Sequence, residues 1–283
     1  MTESTRSVDL VRLADGRFEH AADRVAVEAA LEVRLNGHPF AVIMRTPGAD
    51  TDLVAGFLLS EGVIRSADDL HRLDRPDTDG VLNVVLSRSR AEILPDLLEG
   101  RRNVAQNSSC GMCGRRTLES LEIDRPPLVE EWHLDPTVLA GLPAALRRAQ
   151  HAFDETGGLH AAGLFDLDGR LQSSAEDVGR HNAVDKLLGR ALMAGQLPLS
   201  RSALVVSGRS SFEIVQKAFI GAIPLVAAVS APSSLAVDLA NRTGITLLGF
   251  VRDDRFNIYT HPSRALRTDP GTVFTSAPSD TTR

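Results

Sequence analysis

The sequence is poor in sulfur and in large aromatics, with two cysteines, one tryptophan and one tyrosine in 283 residues. Two cysteines cannot build the disulfide framework of a secreted domain, so the pair is expected to rest as thiols in a reducing compartment. The stretch from Met1 to Asp9 lacks the apolar core of a secretory signal, and nowhere are there the roughly 18 uninterrupted apolar residues of a membrane span. The richest run, Ile220 to Ala231, is short and contains Pro224. These absences point to the cytoplasm. An excess of basic charge is missing too: 31 basic against 37 acidic residues give a formal charge of −6. On that balance nucleic acid is not an expected partner, although a local basic pocket for a phosphorylated ligand stays open, and the missing span leaves no membrane expected either. No G-x-G-x-x-G follows a strand and no G-x-x-x-x-G-K-[ST] loop occurs, which removes the dinucleotide and P-loop readings.

What is present is 43% hydrophobic residues, enough for a sizeable core or two. The polar first twenty-odd residues read as a ragged lead-in with one strand at Val8 to Leu13. Val25 to Leu35 and Phe40 to Arg45 flank Asn36-Gly37, a strong hairpin signal. Asp50 to Ser60 reads as a helix, capped by Asp50 or Thr51 and stopped at Gly62. A strand is expected at Val81 to Leu86 and a short helix at Ala91 to Leu98. From Asp135 the signals alternate. A helix runs from Asp135-Pro136 to about Ala152. Leu159 to Phe165 is a strand, Asp168-Gly169 a turn and Leu171-Gln172 the return. A helix capped by Ser173 or Ser174 spans about Glu176 to Ala194. Strands follow at Ala203 to Val206, Leu225 to Val229 and Ile245 to Phe250, with helices from a Ser210-x-x-Glu213 capping box and at Ser233 to Asn241. Phe256 to Tyr259 closes the sheet. This grammar is α/β: a larger C-terminal α/β unit over 127–283, with a polar tail after 262, and a smaller N-terminal α+β unit over 1–126, divided near Pro126-Pro127.

Residues 101–116 break the pattern and read as a loop rich in Asn, Ser, Gly and Arg. They hold Cys110-Gly-Met-Cys113-Gly, followed by Arg115-Arg116. Glycines give such a loop freedom, and nearby arginines favour a thiolate. Three readings stay open: incidental cysteines, half of a zinc site needing two further ligands, or thiol chemistry as disulfide exchange or persulfide carriage.

A second cluster is Glu176-Asp-Val-Gly-Arg-His181-Asn-Ala-Val-Asp-Lys186. On one helix His181 would reach Asp177 or Asp185, and a carboxylate would raise its pKa. His160 follows a glycine turn at Gly157-Gly158. Gly208, Arg209 and Ser210 sit where a strand ends and a helix begins, the usual ligand edge of an α/β sheet. Ser230 to Ser233 repeats that geometry, so the two loops are expected to wall one pocket. Arg252, Arg255, Asn257 and Tyr259 form a further polar patch, suited to phosphate and a planar ring. The competing reading of these residues is a surface ion-pair ladder with a polar core histidine.

Taken as an ordered set, Cys110-Gly-Met-Cys113-Gly, Thr156-Gly-Gly-x-His160, the Glu176–Lys186 block, Ser207-Gly-Arg-x-Ser-x-Glu213, Ser230-Ala-Pro-Ser233 and Gly249-Phe-x-Arg252 resemble the formate dehydrogenase accessory sulfurtransferase family. The resemblance spans roughly residues 20 to 262. It implies a larger domain of the cytidine-deaminase fold and a homodimer. It also implies transfer of persulfide sulfur from a cysteine desulfurase to the molybdenum (or tungsten) bis-pterin guanine dinucleotide cofactor of the formate dehydrogenase catalytic subunit. By the same resemblance Cys110 carries the persulfide, Cys113 matches the second cysteine, and Phe250, Val251, Arg252, Asp253, Asp254 and Arg255 match the cofactor-binding segment. Gly208, Arg209, Ser210, His160 and His181 are expected to join them, with no permanently bound metal. The alternative is a non-catalytic cofactor or apoenzyme chaperone with a structural C-x-x-C metal site.

Overall fold

A computed structural model describes residues 3–76, 78–95 and 125–266. The loop 101–116, with Cys110, Cys113 and both following arginines, lies outside the described residues, as does the end of the helix expected at Ala91 to Leu98.

The chain opens with two strands, not a ragged lead-in. β1 (Thr5–Ala14) and β2 (Arg17–Ala26) pair antiparallel along their full length. Their turn, Asp15-Gly16, has positive φ at both residues, the same conformation that Asn36-Gly37 adopts in the next hairpin. Val11, Leu13 and Phe18 on this ribbon are exposed, so no buried face marks it in the sequence.

β3 (Ala29–Leu35) and β4 (His38–Arg45) form the second hairpin. β5 (Leu70–Asp74), which the pattern did not reveal, and β6 (Val81–Leu86) complete a four-stranded sheet in the order β4-β3-β6-β5. Between β4 and β5, α1 (Asp50–Ser60) forms where expected, but Ala49 takes the cap position without a side-chain bond. Asp50 instead pairs with the buried Arg45. A short helix, α2 (Arg88–Glu92), follows β6.

The larger unit begins at α3 (Pro136–Arg147), where the Asp135 carboxylate accepts from Thr137 N as the sequence predicts. The helix stops five residues early. A separate α4 (His151–Thr156) follows, and Glu176 accepts from its first free N–H groups, Ala152 N and Phe153 N. β7 (His160–Phe165) pairs with β8 (Leu171–Asp177), and α5 (Arg180–Met193) begins only after Gly179. Glu176 and Asp177 are therefore strand residues, and the expected cap at Ser173 or Ser174 is overturned. Cross-strand pairing with β7 holds the segment extended, and the acids use their carboxylates on backbone N–H groups elsewhere.

β9 (Ala203–Val206), α6 (Phe212–Ile220), β10 (Leu225–Ala228), α7 (Ser234–Thr243), β11 (Thr246–Arg252) and β12 (Arg255–Thr260) complete a six-stranded sheet. Its order is β12-β11-β10-β9-β7-β8, with β9, β10 and β11 parallel. Alternation sorts its side chains into two cores. Leu204, Val206, Val226 and Leu247 face one core shared with α1, α5, α6, α7 and the N-terminal sheet. Ala203, Val205, Leu225 and Leu248 face the other, under Leu139, Leu142 and Leu146 of α3. The result is helix, sheet and helix in three layers, with an N-terminal α+β unit against one face.

The two units touch most closely where α1 crosses α5. A Cβ on Gly56 would stand 1.9 Å from Asp185 O, and one on Gly189 would stand 1.8 Å from Asp52 O. Only glycine permits that approach.

Candidate functional site

The parallel strands β9, β10 and β11 all end at one edge of the large sheet. Ser207, Val229 and Val251 there line a cavity of about 720 Å³, together with Arg252 and Asp253. α3 and α4 supply the opposite wall, and His160 sits at its floor beside Gly157-Gly158. A cavity of this size at the strand ends is the expected ligand position of an α/β sheet. The end of β11 is irregular: its register with β12 shifts between Gly249 and Arg252, and Phe250 and Asp253 have positive φ. Such a bulge re-aims side chains at a sheet edge.

Of the residues singled out by sequence, His160, Val251, Arg252 and Asp253 line the cavity. Phe250, Asp254, Arg255 and Arg209 are exposed near it and are not lining residues. Gly208 stands against the floor: a Cβ there would lie 3.4 Å from His160 Nδ1. Ser210 is fully buried, and its hydroxyl has no partner. The Ser207–Ser211 and Ser230–Ser233 loops do meet, through a bridge of Ser210 with Pro232 and a bond from Ser233 N to Ser210 O, 3.0 Å. Sequence reading missed the α3–α4 wall, where Arg147 stacks over Phe153 at 4.6 Å. The glycine turn before His160 was the signal that could have led to α4.

His181 is not a cavity residue. It lies buried at the start of α5 with Nδ1 3.1 Å from Glu213 and Nε2 3.0 Å from Ser211 Oγ. The expected carboxylates, Asp177 and Asp185, are not its partners, and the expected rise in pKa is reversed. Burial pushes it down to about 4, helped by Arg180, Lys217 and His160 and opposed by Glu213. A neutral ring that donates from Nδ1 to Glu213 accepts at Nε2 from the Ser211 hydroxyl. The expected capping box does not form: the helix starts one residue later, with Ser211 rather than Ser210 at the cap position and no side-chain cap bond. His160 is likewise lowered, first by burial and then by Arg180.

Behind His181 runs a line of buried charge. Glu213 contacts Lys217 at 3.4 Å, Lys217 contacts Asp185 at 2.8 Å, and Ser60 Oγ donates to Asp185 at 2.7 Å. Burial raises Asp185 to about 6 against the pull of Lys217 and Ser60. In parallel, Asp177 is fully buried on Lys186 at 2.7 Å and accepts from Asn182 Nδ2, Gly179 N and Thr46 N. Glu213 and Lys217, four residues apart on α6, thus form a buried pair. Among the described residues no group of three His, Cys, Asp or Glu is arranged to hold a metal, and no helix is long and apolar enough to cross a membrane.

A sulfur carrier protein FdhD from Streptomyces avermitilis is 50% identical over 282 residues, covering 94% of this chain and 98% of the relative. The protein of the same description from Thermoplasma acidophilum is 44% identical over 270 residues, covering 94% of each. A crystal structure assigned as a formate dehydrogenase accessory protein from Desulfotalea psychrophila superposes with a TM-score of 0.75 at 27% identity, covering 93% of this chain and all of the other. The model of the FdhD/NarQ family matches residues 26–266, and the chain belongs to that family.

Proposed function

We propose that the protein is a sulfur carrier that takes persulfide sulfur from a cysteine desulfurase on Cys110 and delivers it to a molybdenum (or tungsten) bis-pterin guanine dinucleotide. That molecule, destined for the formate dehydrogenase catalytic subunit, is the acceptor substrate. The carrying observation is the near full-length similarity to sulfur carrier proteins from distant organisms. The cavity fits such a ligand in chemistry. Arg252 suits a phosphate, Asp253 suits the N–H edge of a guanine, and the apolar α3 wall suits a planar ring. The three-layer order supports placing the larger unit with the cytidine-deaminase fold. A homodimer remains part of the reading through the family resemblance.

The loading step balances without an outside oxidant. The Cys110 thiolate attacks the terminal sulfur of the desulfurase persulfide, the S–S bond there breaks, and the desulfurase thiolate leaves. Cys110 then carries the extra sulfur. Attack of Cys113 on the Cys110 sulfur would release hydrosulfide and leave a Cys110–Cys113 disulfide, the two thiols supplying the electrons that reduce the sulfane sulfur. The cofactor residues of the chain have the simpler task of holding the acceptor at the sheet edge.

Intact-mass analysis after incubation with a desulfurase and cysteine tests the proposal. One added sulfur, about 32 Da, is expected on Cys110 and absent from Cys110→Ser. An unmodified Cys110 beside an active desulfurase would overturn it. Retained loading of Cys110 with loss of hydrosulfide release in Cys113→Ala is the expected signature of the resolving thiol.

A further inference from the structure

Arg180 opens α5 beside the cavity floor. Three carboxylates belong to the elements around it, and each is already committed. Glu176 accepts from the start of α4, Asp177 is saturated by Lys186 and three N–H donors, and Glu213 holds His181 and Lys217. The Arg180 Nε is buried with no hydrogen-bond partner. The Arg180 side chain leans over Gly208: its Cδ lies 3.8 Å from where a Cβ on that glycine would stand, the same point that lies 3.4 Å from His160 Nδ1. The lack of a side chain at Gly208 thus brings the Arg180 stem and the His160 ring to the same stretch of backbone.

Two further features face the same loop. The Ser210 hydroxyl, fully buried, is the other unpartnered buried side-chain atom among the described residues. The cap of α5, Gly179, brings no side chain that could bond to the first turn of the helix Arg180 opens. A buried polar atom without a partner costs about 1–3 kcal/mol, and native proteins seldom leave one unless a water or a ligand completes it. Arg180 Nε can only donate and belongs to a cation, and a serine hydroxyl can donate as well, so an anion is the one partner that suits both.

We propose that Arg180 is the anion anchor of the site, binding beside Gly208 and His160 either a phosphate or the anionic terminal sulfur of a persulfide. The assignment deepens the sulfur-carrier reading by naming the residue that meets the charge of cargo or acceptor. Arg180 also depresses both His160 and His181, so an anion placed on it relieves that field and raises His160.

The test uses full-length Cys110→Ser protein, so that it does not depend on persulfide loading. Inorganic diphosphate and sodium hydrosulfide are titrated separately while the His160 ring is followed by NMR. At least one anion is expected to shift the His160 signals and raise its pKa. Arg180→Gln should weaken that binding by about tenfold or more, as loss of a charge-assisted bond implies, and Arg180→Lys should recover part of it. Thermal melting confirms that both variants fold. A response to diphosphate alone assigns the anchor to a phosphate, and one to hydrosulfide alone assigns it to sulfur. Equal affinities in Arg180→Gln and its parent, or no response to either anion, overturn the proposal. Should Cys110 fail to load sulfur while diphosphate binds through Arg180, the carrier reading falls and the anchor stands.

Discussion

The seam between α1 and α5 and the rim of the cavity draw on the same short stretch of sequence, yet they treat polar groups in opposite ways. At the seam Asp177, Asn182, Asp185 and Lys186 are all buried, and each is tied to partners from the N-terminal unit or from α6. Lys186 alone reaches Asp177, Thr46 O and Glu176 O. At the rim, Arg180 Nε and Ser210 Oγ lie buried with nothing to bind. Buried charge is costly unless paired, so completeness marks the seam as structural, and incompleteness marks the rim as the place where a ligand belongs. Richness in charged residues therefore does not by itself locate function in the Glu176–Lys186 block.

The largest test of this contrast is Lys186→Met. It leaves Asp177 buried with N–H donors but no cation, and stability should drop by about 3–5 kcal/mol. Urea unfolding reads the loss directly. A loss below about 1 kcal/mol would show that the seam is not the structural half of the pair.

His181 lies between the two regions, and acid should expose its position. Its folded pKa of about 4 is below the ordinary 6.5, so the unfolded chain takes up the proton first as pH falls. The histidine costs nothing above pH 6.5 and withdraws about 3 kcal/mol of stability by pH 4. The groups that face it are Glu213, Lys217 and Ser211 of the α6 segment, Arg180 beside it and His160 of β7. Asp185, raised to about 6, carries the opposite slope: its share of stability falls as pH rises from 3.8 to 6. The comparison must therefore be wild type against His181→Gln. Between pH 6.5 and 4 the wild type should lose ground to the variant, and parallel curves would mean that the ring is protonated in the native state.

A backbone test comes next. In Gly189→Ala the new methyl would meet Asp52 O, a main-chain atom that cannot swing aside. A destabilisation near the upper end of the usual 1–3 kcal/mol for overpacking is expected in a urea titration. Gly208→Ala, at 3.4 Å from a histidine side chain, should leave the melting temperature nearly unchanged while shifting the His160 resonances.

Much of the layered unit was legible because its signals are local. Asp135-Pro136 caps α3, Asn36-Gly37 turns a hairpin, and the apolar runs of β9 and β10 are buried on both faces. Asp15-Gly16 carried the same turn signal as Asn36-Gly37. The flanking strands bury too little to alternate cleanly, so the turn signal stands there without a strand pattern beside it. The start of α5 was misplaced for a different reason. Ser173-x-x-Glu176 imitates a capping box, but pairing with β7 overrode it, a long-range fact absent from the local pattern. Partner choice was the least legible layer of all. Glu213 and Lys217 look like an i,i+4 surface pair, and only the packing of α6 on α5 turns them toward His181 and Asp185.

The smallest effect compares two serines at opposite ends of one line of contacts. Ser60 is buried and donates to the buried carboxylate of Asp185, while Ser211 is half-buried and donates to a neutral imidazole. A bond to a charged, desolvated acceptor is worth about 1.5–3 kcal/mol, and one between neutral groups near water about 0.5–1.5. Ser60→Ala should therefore lower stability by about 2 kcal/mol and push the Asp185 pKa further up, since a bond favouring the carboxylate is lost. Ser211→Ala should cost under about 1 kcal/mol and leave Asp185 unmoved, because Glu213 and Lys217 stand between them. Urea midpoints for stability and carboxyl NMR for Asp185 separate the two variants. Equal losses, or a shift of Asp185 in both, would mean that the line of contacts behaves as one unit from seam to rim, and the division between the two regions would have to be drawn elsewhere.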